Sequence, residues 1–454
     1  MAAVDADETD RLLALRELLD RAGYDSATVR ERLGTGDWLA EQVARRRLGA
    51  GPLDVLLQLF SLGRPAPIDD VEHALGARTI DLLVGLGLLR RGAGRVEPLL
   101  AITAHGPLRL LSDIDVEPAH HRGDHVGAVS FSSELCDQLT LRRPVDTALD
   151  LGCGSGVLAL LAAAHARSVV AIDVNPRACA FTARNAVLNG CANIDVREGS
   201  WFAPIGDARF ALIVANLPFV ISPERRWLHR DSERAGDALT EQIAGSLVAH
   251  LCTGGVATMT GSWFVGAPVA SWVGTGADVV VVHARSLDPV EHAVVWGMDE
   301  PTAASVDEGA LVVRQRDGGT AAATVALGAL NAGRAAEHVR AMFDTGDELR
   351  GLDDEALLDR CVALADWTLV HEALARVDGE VVITAARIET TTGLDVGGAL
   401  DELALELVRR LDGAAPLRIC IGELQEDLQL DDAGRGQAVG RVRAMLATGL
   451  LTLT

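Results

Sequence analysis

The sequence predicts an α/β fold, a doubly wound sheet in the middle of the chain with helical accessory segments on either side. Three observations predict it. Between about Glu117 and Asp299, short apolar runs alternate with helical stretches, the pattern of strands joined by crossover helices. The runs are rich in Val, Ile and Ala at every position rather than at alternate ones, as strands buried between two helix layers should be. A chain of 454 residues also exceeds what one core ordinarily organises, so two or three domains are expected.

Residues 1–115 read as a helical N-terminal accessory domain. The run Arg11 to Leu19 has helical apolar periodicity. Helices over Leu53 to Phe60, Ile68 to Leu75 and Arg78 to Leu89 then precede a Gly-containing turn, Arg90 to Arg95, and an apolar run from Val96 to Leu100. That order suggests a winged helix. A winged helix that reads DNA needs polar and basic side chains on its third helix, and Thr79 to Leu86 is apolar and acidic. A packing or substrate-cap role is the expectation.

Residues 116–300 read as the central domain. Its expected strands are Thr147 to Leu151, Ser168 to Asp173, Ile194 to Glu198, Phe210 to Ala215, Gly255 to Thr260, Val279 to Ala284 and Ala293 to Gly297. Residues 301–454, rich in Ala and Leu, form a C-terminal accessory domain; Leu417 to Thr454 has the character of a second winged-helix-like module.

Composition excludes several classes. A net charge of −23 opposes tight non-specific contact with phosphate backbones, so nucleic acid is not an expected partner. The seven cysteines contain no CxxC pair and read as buried thiols of a reducing compartment. With no apolar run long enough to span a bilayer and no signal-peptide core near Met1, the expectation is a cytoplasmic protein away from membranes.

The chemistry lies in three motifs between Asp150 and Phe219. Gly152, Gly154 and Gly156 follow one expected strand and open a helix over Val157 to His165. Glycines there permit a sharp turn and the close approach of a ligand. Asp173 ends the next strand, where a carboxylate accepts hydrogen bonds from ribose hydroxyls. These two motifs suit either a nicotinamide dinucleotide or S-adenosyl-L-methionine. Asp150 favours the latter, because a carboxylate next to the glycines can face an ammonium but would repel a pyrophosphate. Asn216-Leu217-Pro218-Phe219, at the end of the fourth strand, decides. The Asn216 side-chain oxygen and the Leu217 carbonyl can hold the N–H groups of a poorly nucleophilic nitrogen, Pro218 keeps Leu217 extended, and Phe219 can stack on a planar substrate.

On these motifs, the span from about Asp124 to Met298 resembles a class I S-adenosylmethionine-dependent methyltransferase of the "methyltransferase small" type. That group includes release-factor glutamine methyltransferases and ribosomal-RNA guanine N2-methyltransferases. The whole chain resembles larger actinobacterial proteins with N- and C-terminal accessory segments. The resemblance implies a Rossmann-like seven-stranded sheet. It places Asp150, Gly152, Gly154 and Gly156 on the methionine and ribose side, Asp173 on the ribose hydroxyls, and Asn216 to Phe219 at the substrate, with Asn216 also against the cofactor.

Two departures stand out. Leu217 replaces the first of the group's two usual prolines, as in ribosomal-RNA adenine dimethyltransferases. At the third strand's end Gly199-Ser200-Trp201-Phe202 stands where relatives often have an acidic residue. Ser200 is then expected at the adenine edge, with Trp201 or Phe202 on its face. The expected function is methyl transfer to nitrogen, less readily oxygen, of a small-molecule or peptide acceptor. A translation-factor glutamine or ribosomal-RNA base is the alternative, and an inactive cofactor-binding regulator the reading from another class. His120, His121 and His125 beside Asp124 form a cluster better suited to a closing loop than to a metal, and Arg225 to Asp231 is a candidate substrate lid. Trp263 and His292 are expected to pack.

Overall fold

A computed structural model of the chain describes residues 4–34, 42–43, 46–115, 122–222, 236–318, 321–326, 334–377 and 380–454. His120, His121 and the segment Arg225 to Asp231 lie outside the described residues.

The N-terminal region begins with α1 (Ala6–Ala22), α2 (Ser26–Leu33) and α3 (Pro52–Leu56), the last running on into a wide helical turn over Leu57–Ser61. Then come β1 (Ala66–Pro67), α4 (Ile68–Leu75), α5 (Ala77–Gly85), β2 (Leu89–Arg91) and β3 (Arg95–Pro98). β3 lies between β1 and β2. A hairpin of β4 (Ala101–His105) and β5 (Leu108–Ser112) leads to the centre.

The central elements are α6 (Phe131–Leu139), β6 (Val145–Leu151), α7 (Val157–Ala163), β7 (Ala166–Asp173), α8 (Pro176–Asn189), β8 (Ile194–Glu198), β9 (Phe210–Asn216) and α9 (Ala238–Leu247). They continue with β10 (Leu251–Phe264), α10 (Val269–Trp272), β11 (Ala277–Leu287), α11 (Pro289–Trp296), β12 (Val306–Gln315) and β13 (Ala321–Ala326). The strands form one sheet in the order β13-β11-β12-β10-β9-β6-β7-β8. β6, β7, β8, β9 and β10 are mutually parallel, whereas β12 runs antiparallel to both β10 and β11. Strand order reverses at β6, which lies between β9 and β7. In such sheets that switch point opens a crevice at the carboxyl ends of the strands.

Six of the expected strands match β6 to β11; the seventh does not. Ala293 to Gly297 belongs to α11 and the glycine that ends it. Asp288 and Glu291 form a reciprocal cap, Pro289 opens the first turn and Gly297 closes the helix in the left-handed conformation. These start and stop signals outweigh a four-residue apolar run that is ambiguous by periodicity. The antiparallel place is filled instead by β12, and β13 adds an eighth strand at the outer edge. Two strands of the sheet therefore lie beyond residue 300.

The C-terminal region comprises α12 (Ala335–Arg350), α13 (Asp354–Leu358), β14 (Cys361–Leu364), β15 (Thr368–Val377), β16 (Glu380–Thr390), β17 (Gly397–Leu400), α14 (Glu402–Arg410), β18 (Asp412–Pro416), α15 (Leu417–Leu428), α16 (Asp432–Ala447) and β19 (Leu451–Leu453). Its core is continuous with one face of the central sheet. Val256, Val280 and Val312 pack in the same buried cluster as Val339, Met342 and Phe343 of α12 and Leu407, Leu424 and Leu446 beyond. Buried Asp278 of β11 accepts from Arg314 at 2.6 Å and from Arg350 at 3.0 Å, which ties α12 to the sheet. On the other side Ala178, Phe181 and Leu188 of α8 share a cluster with Leu12, Leu15 and Leu83. Both accessory regions thus share apolar cores with the central sheet or its helices, and burial of apolar surface at about 25 cal/mol per Å² is what holds such regions together. Among the described residues no helix is long and apolar enough to cross a membrane.

Candidate active site

The turn from β6 into α7 places Gly152, Gly154 and Gly156 at φ of 77°, 53° and 87°, a region that strains any residue with a Cβ. A Cβ on Gly156 would lie 3.0 Å from the Thr182 side chain, so that glycine lets α8 pack against the turn. A Cβ on Gly154 would meet nothing within 4 Å. Its outer side is open to the crevice, where a ligand can reach the backbone. The turn is anchored by the Gly152 and Cys153 N–H groups, which donate to the Ile172 carbonyl at 2.8 and 2.9 Å.

Asp173, at the end of β7, stands beside this turn. Its carboxylate accepts the Gly154 N–H at 2.9 Å and the Asn175 N–H at 2.8 Å. Burial pushes its pKa above the ordinary range, while those two N–H groups act in the opposite direction. Val174, next in the chain, is 55% exposed. An apolar side chain left open beside the ribose-type carboxylate is a feature the sequence reading passed over, though a valine directly after the strand-ending acid was its signal.

A rim closes over the turn from the N-terminal side. Ser155 Oγ donates to the Ala128 carbonyl at 2.7 Å, and Asn175 Nδ2 donates to the Asp124 carbonyl at 3.1 Å. Asp113 holds the rim from below, accepting the Val126 N–H at 2.9 Å and pairing with Arg177. His125 is buried with Nδ1 3.9 Å from Asp113. Among the described residues no three His, Cys, Asp or Glu side chains gather as a metal site would require.

The same rim leads into α6, whose N-cap is Ser130. From there it reaches Asn216, the last residue of β9. Asn216 Nδ2 donates to Ser133 Oγ at 3.1 Å, and its Oδ1 accepts from Thr260 Oγ1 at 2.8 Å. Glycine turn, Asp173 and Asn216 therefore share the carboxyl edge of adjacent strands: Asp150 is in register with Val214 and Ala171, two residues short of Asn216 and Asp173 respectively.

Residues 130–255, which contain the glycine turn, Asp173 and Asn216, match the family described as methyltransferase small domain. This part of the chain is a class I methyltransferase domain of that family. Residues 21–99 match a domain of unknown function (DUF7059). A release factor glutamine methyltransferase of Xylella fastidiosa is 30% identical over 158 residues, 32% of this chain and 58% of that protein. One from Geobacter sulfurreducens is 35% identical over 128 residues, 28% of this chain and 36% of that protein. A ribosomal protein uL3 glutamine methyltransferase of Bradyrhizobium diazoefficiens is 38% identical over 99 residues, 21% of this chain and 30% of that protein. The chain thus spans at most a little over half the length of these relatives.

The methyltransferase domain departs from the sequence expectations at three side chains. Asp150 is completely buried: one oxygen accepts the Ala159 N–H at 2.8 Å, and Oδ1 has no hydrogen-bond partner. It lies beneath the glycine turn and secures the first turn of α7 rather than facing the crevice. The Phe202 ring stacks on His250 at 4.2 Å, which occupies one of its two faces. Phe219 is only 7% exposed and meets Trp296 edge-on at 6.3 Å, so its ring is part of the packing and not an open platform. Ser200 is exposed. Trp201 is half-buried at φ 49°, a conformation that is a genuine outlier for a bulky residue.

The remaining surfaces suit an adenosyl ligand. An open glycine cradle, a carboxylate at the end of the second strand and an exposed valine beside it fit the backbone, ribose and base of such a molecule. Gly154→Val is expected to weaken S-adenosylhomocysteine binding at least about tenfold, because the new side chain fills the open cradle and strains a positive φ. Titration calorimetry checks this; unchanged affinity would remove Gly154 from the ligand surface.

Proposed function

We propose that this chain transfers the methyl group of S-adenosylmethionine to the side-chain amide nitrogen of a glutamine in a protein of the translation apparatus. The observation that carries the reading is Asn216 held at the carboxyl end of β9 in a methyltransferase small domain. The relatives named above act on glutamine in a release factor or a ribosomal protein, which supports the translation-factor alternative over the small-molecule or peptide acceptor expected from the sequence. The net charge of −23 also weighs against an RNA acceptor.

Gly152 to Gly156 and Asp173 would hold the cofactor, with Val174 and Trp201 against its base and Ser200 at the base edge. S-adenosylmethionine supplies an electrophilic methyl on a sulfonium. An amide nitrogen is a weak nucleophile because its lone pair is delocalised into the carbonyl. The Asn216 Oδ1 and the Leu217 carbonyl would accept its two N–H groups and set the lone pair toward the methyl carbon; Pro218 keeps that carbonyl in place by restricting Leu217. As the N–C bond forms and the C–S bond breaks, one amide proton leaves to water. Orientation is the main contribution asked of the protein, so no general base is assigned.

The test is incorporation of label from methyl-tritiated S-adenosylmethionine into three separate preparations: bacterial release factors, ribosomes and a small-metabolite extract. Label in a protein band, recovered as methylated glutamine after digestion, is the expected result. Label confined to ribosomal RNA or to metabolites would replace the glutamine acceptor, and none anywhere, with cofactor binding intact, would favour a binding regulator.

A further inference from the structure

Asn216 does not orient its own amide. Nδ2 donates to the Ser133 hydroxyl at 3.1 Å and the Ser130 hydroxyl at 3.4 Å, while Oδ1 accepts from the Thr260 hydroxyl at 2.8 Å. The two serines are fixed independently of Asn216. They form the reciprocal cap of α6, in which Ser133 N–H donates to Ser130 Oγ at 3.1 Å and Ser130 N–H donates to Ser133 Oγ at 3.2 Å. Thr260 is fixed by the sheet. It lies directly opposite Asn216 in the β9–β10 pairing, and is 1% exposed.

A primary amide has two orientations about its last torsion, and they exchange a donor for an acceptor. With Nδ2 turned to the two serine hydroxyls and one Oδ1 lone pair taken by Thr260, the second Oδ1 lone pair is left to accept from a ligand. In this orientation Asn216 offers a ligand an acceptor at Oδ1.

We infer that Thr260, together with Ser130 and Ser133, is a positioning residue that holds Asn216 in its accepting orientation and so selects a methyl acceptor bearing an N–H donor. The inference rests on the nitrogen-methylating reading above. It adds three residues from two elements that no motif contains, and assigns the choice of N–H over a bare carbonyl or ether oxygen to their hydroxyls.

The experiment compares Thr260→Val, which keeps the shape and removes the hydroxyl, with Thr260→Ser, which keeps the hydroxyl. Steady-state transfer of tritiated methyl to a purified bacterial release factor is measured, with S-adenosylhomocysteine affinity by calorimetry as the control. The valine variant should lose about tenfold in kcat, the scale of one hydrogen bond, with acceptor KM and S-adenosylhomocysteine affinity near wild type, and the serine variant should recover it. Wild-type kcat in the valine variant overturns the inference, as does equal impairment of both variants, which would place the effect in the lost methyl contact. A wild-type protein that binds S-adenosylhomocysteine but labels no protein sinks the glutamine reading first, and that failure appears in the wild type rather than in the variant.

Discussion

Asn216→Ala should reduce methyl transfer by about 100-fold or more while leaving S-adenosylhomocysteine affinity unchanged. The magnitude follows from what the residue is asked to do. An amide nitrogen attacks only when its lone pair is directed at the methyl carbon, and misplacement of a reacting group by about 1 Å costs on the order of 10² in rate. Without Oδ1 the acceptor keeps one anchor, the Leu217 carbonyl, and rotates about it. In the proposed site the cofactor is held by the glycine turn and Asp173, one and two strands away from Asn216 across the sheet, and not by the Asn216 side chain, so the variant should separate orientation from cofactor capture. Single-turnover transfer of labelled methyl measures the first and calorimetry the second. The substitution also removes one partner each from the buried hydroxyls of Ser133 and Thr260, which keep the Ser130 N–H at 3.2 Å and the Ala215 carbonyl at 3.4 Å, at a cost of about 1 kcal/mol of stability. Circular dichroism must therefore show a folded variant. Transfer at near wild-type rate would remove Asn216 from the chemistry.

The parts of this site that were legible in the sequence are those whose signal is local. Gly152, Gly154 and Gly156 sit within one turn, and Asp173 ends the very next strand, so a strand-turn-helix-strand pattern is enough to place them side by side. The first six strands of the sheet were legible for a similar reason, since a run buried on both faces is apolar at every position. What could not be read depends on residues brought from afar. Ser133 and Thr260 meet Asn216 across separations of 83 and 44 positions, and neither a serine in a helix cap nor a threonine in a strand is unusual by itself. The Phe219 ring is covered by Trp296, from a helix whose apolar residues read equally well as a strand. The last strands were not legible because the four apolar residues from Ala293 to Trp296 match in length the four of β12, Ala310 to Val313, which follow Asp307, Glu308 and Gly309. That glycine is required: a Cβ there would lie 2.1 Å from the Val282 carbonyl oxygen, so the backbone of β11 passes where a side chain would be.

Asp150→Asn should raise the melting temperature of the cofactor-free protein at pH 8 and weaken its hold on S-adenosylmethionine. Burial pushes the Asp150 carboxyl up from its ordinary 3.8 to about 7; the Ala159 N–H opposes the shift, and the nearby Asp173 charge adds to it. In the unfolded chain the group loses its proton near 3.8, whereas in the folded protein it keeps the proton until about 7. The folded state therefore holds more protons between these values, and stability from this group is greatest below pH 4, falls as pH rises through the window, and is level above pH 7. At about 1.4 kcal/mol per unit the whole fall is on the order of 4 kcal/mol. Asparagine keeps the oxygen that accepts the Ala159 N–H and removes the charge, at the smaller cost of an NH2 group whose two donors lack a partner, about 1–3 kcal/mol. The gain over wild type should accordingly be largest at pH 8 and shrink toward pH 5, which thermal melts at the two values can check; a variant no more stable at pH 8 would mean that the carboxylate is not held at that cost. A buried negative charge beneath the glycine turn loses stability for the empty protein but favours a cationic ligand above it, and the neutral variant forfeits that attraction. Calorimetry at pH 8 with S-adenosylmethionine should show weaker binding in the more stable protein.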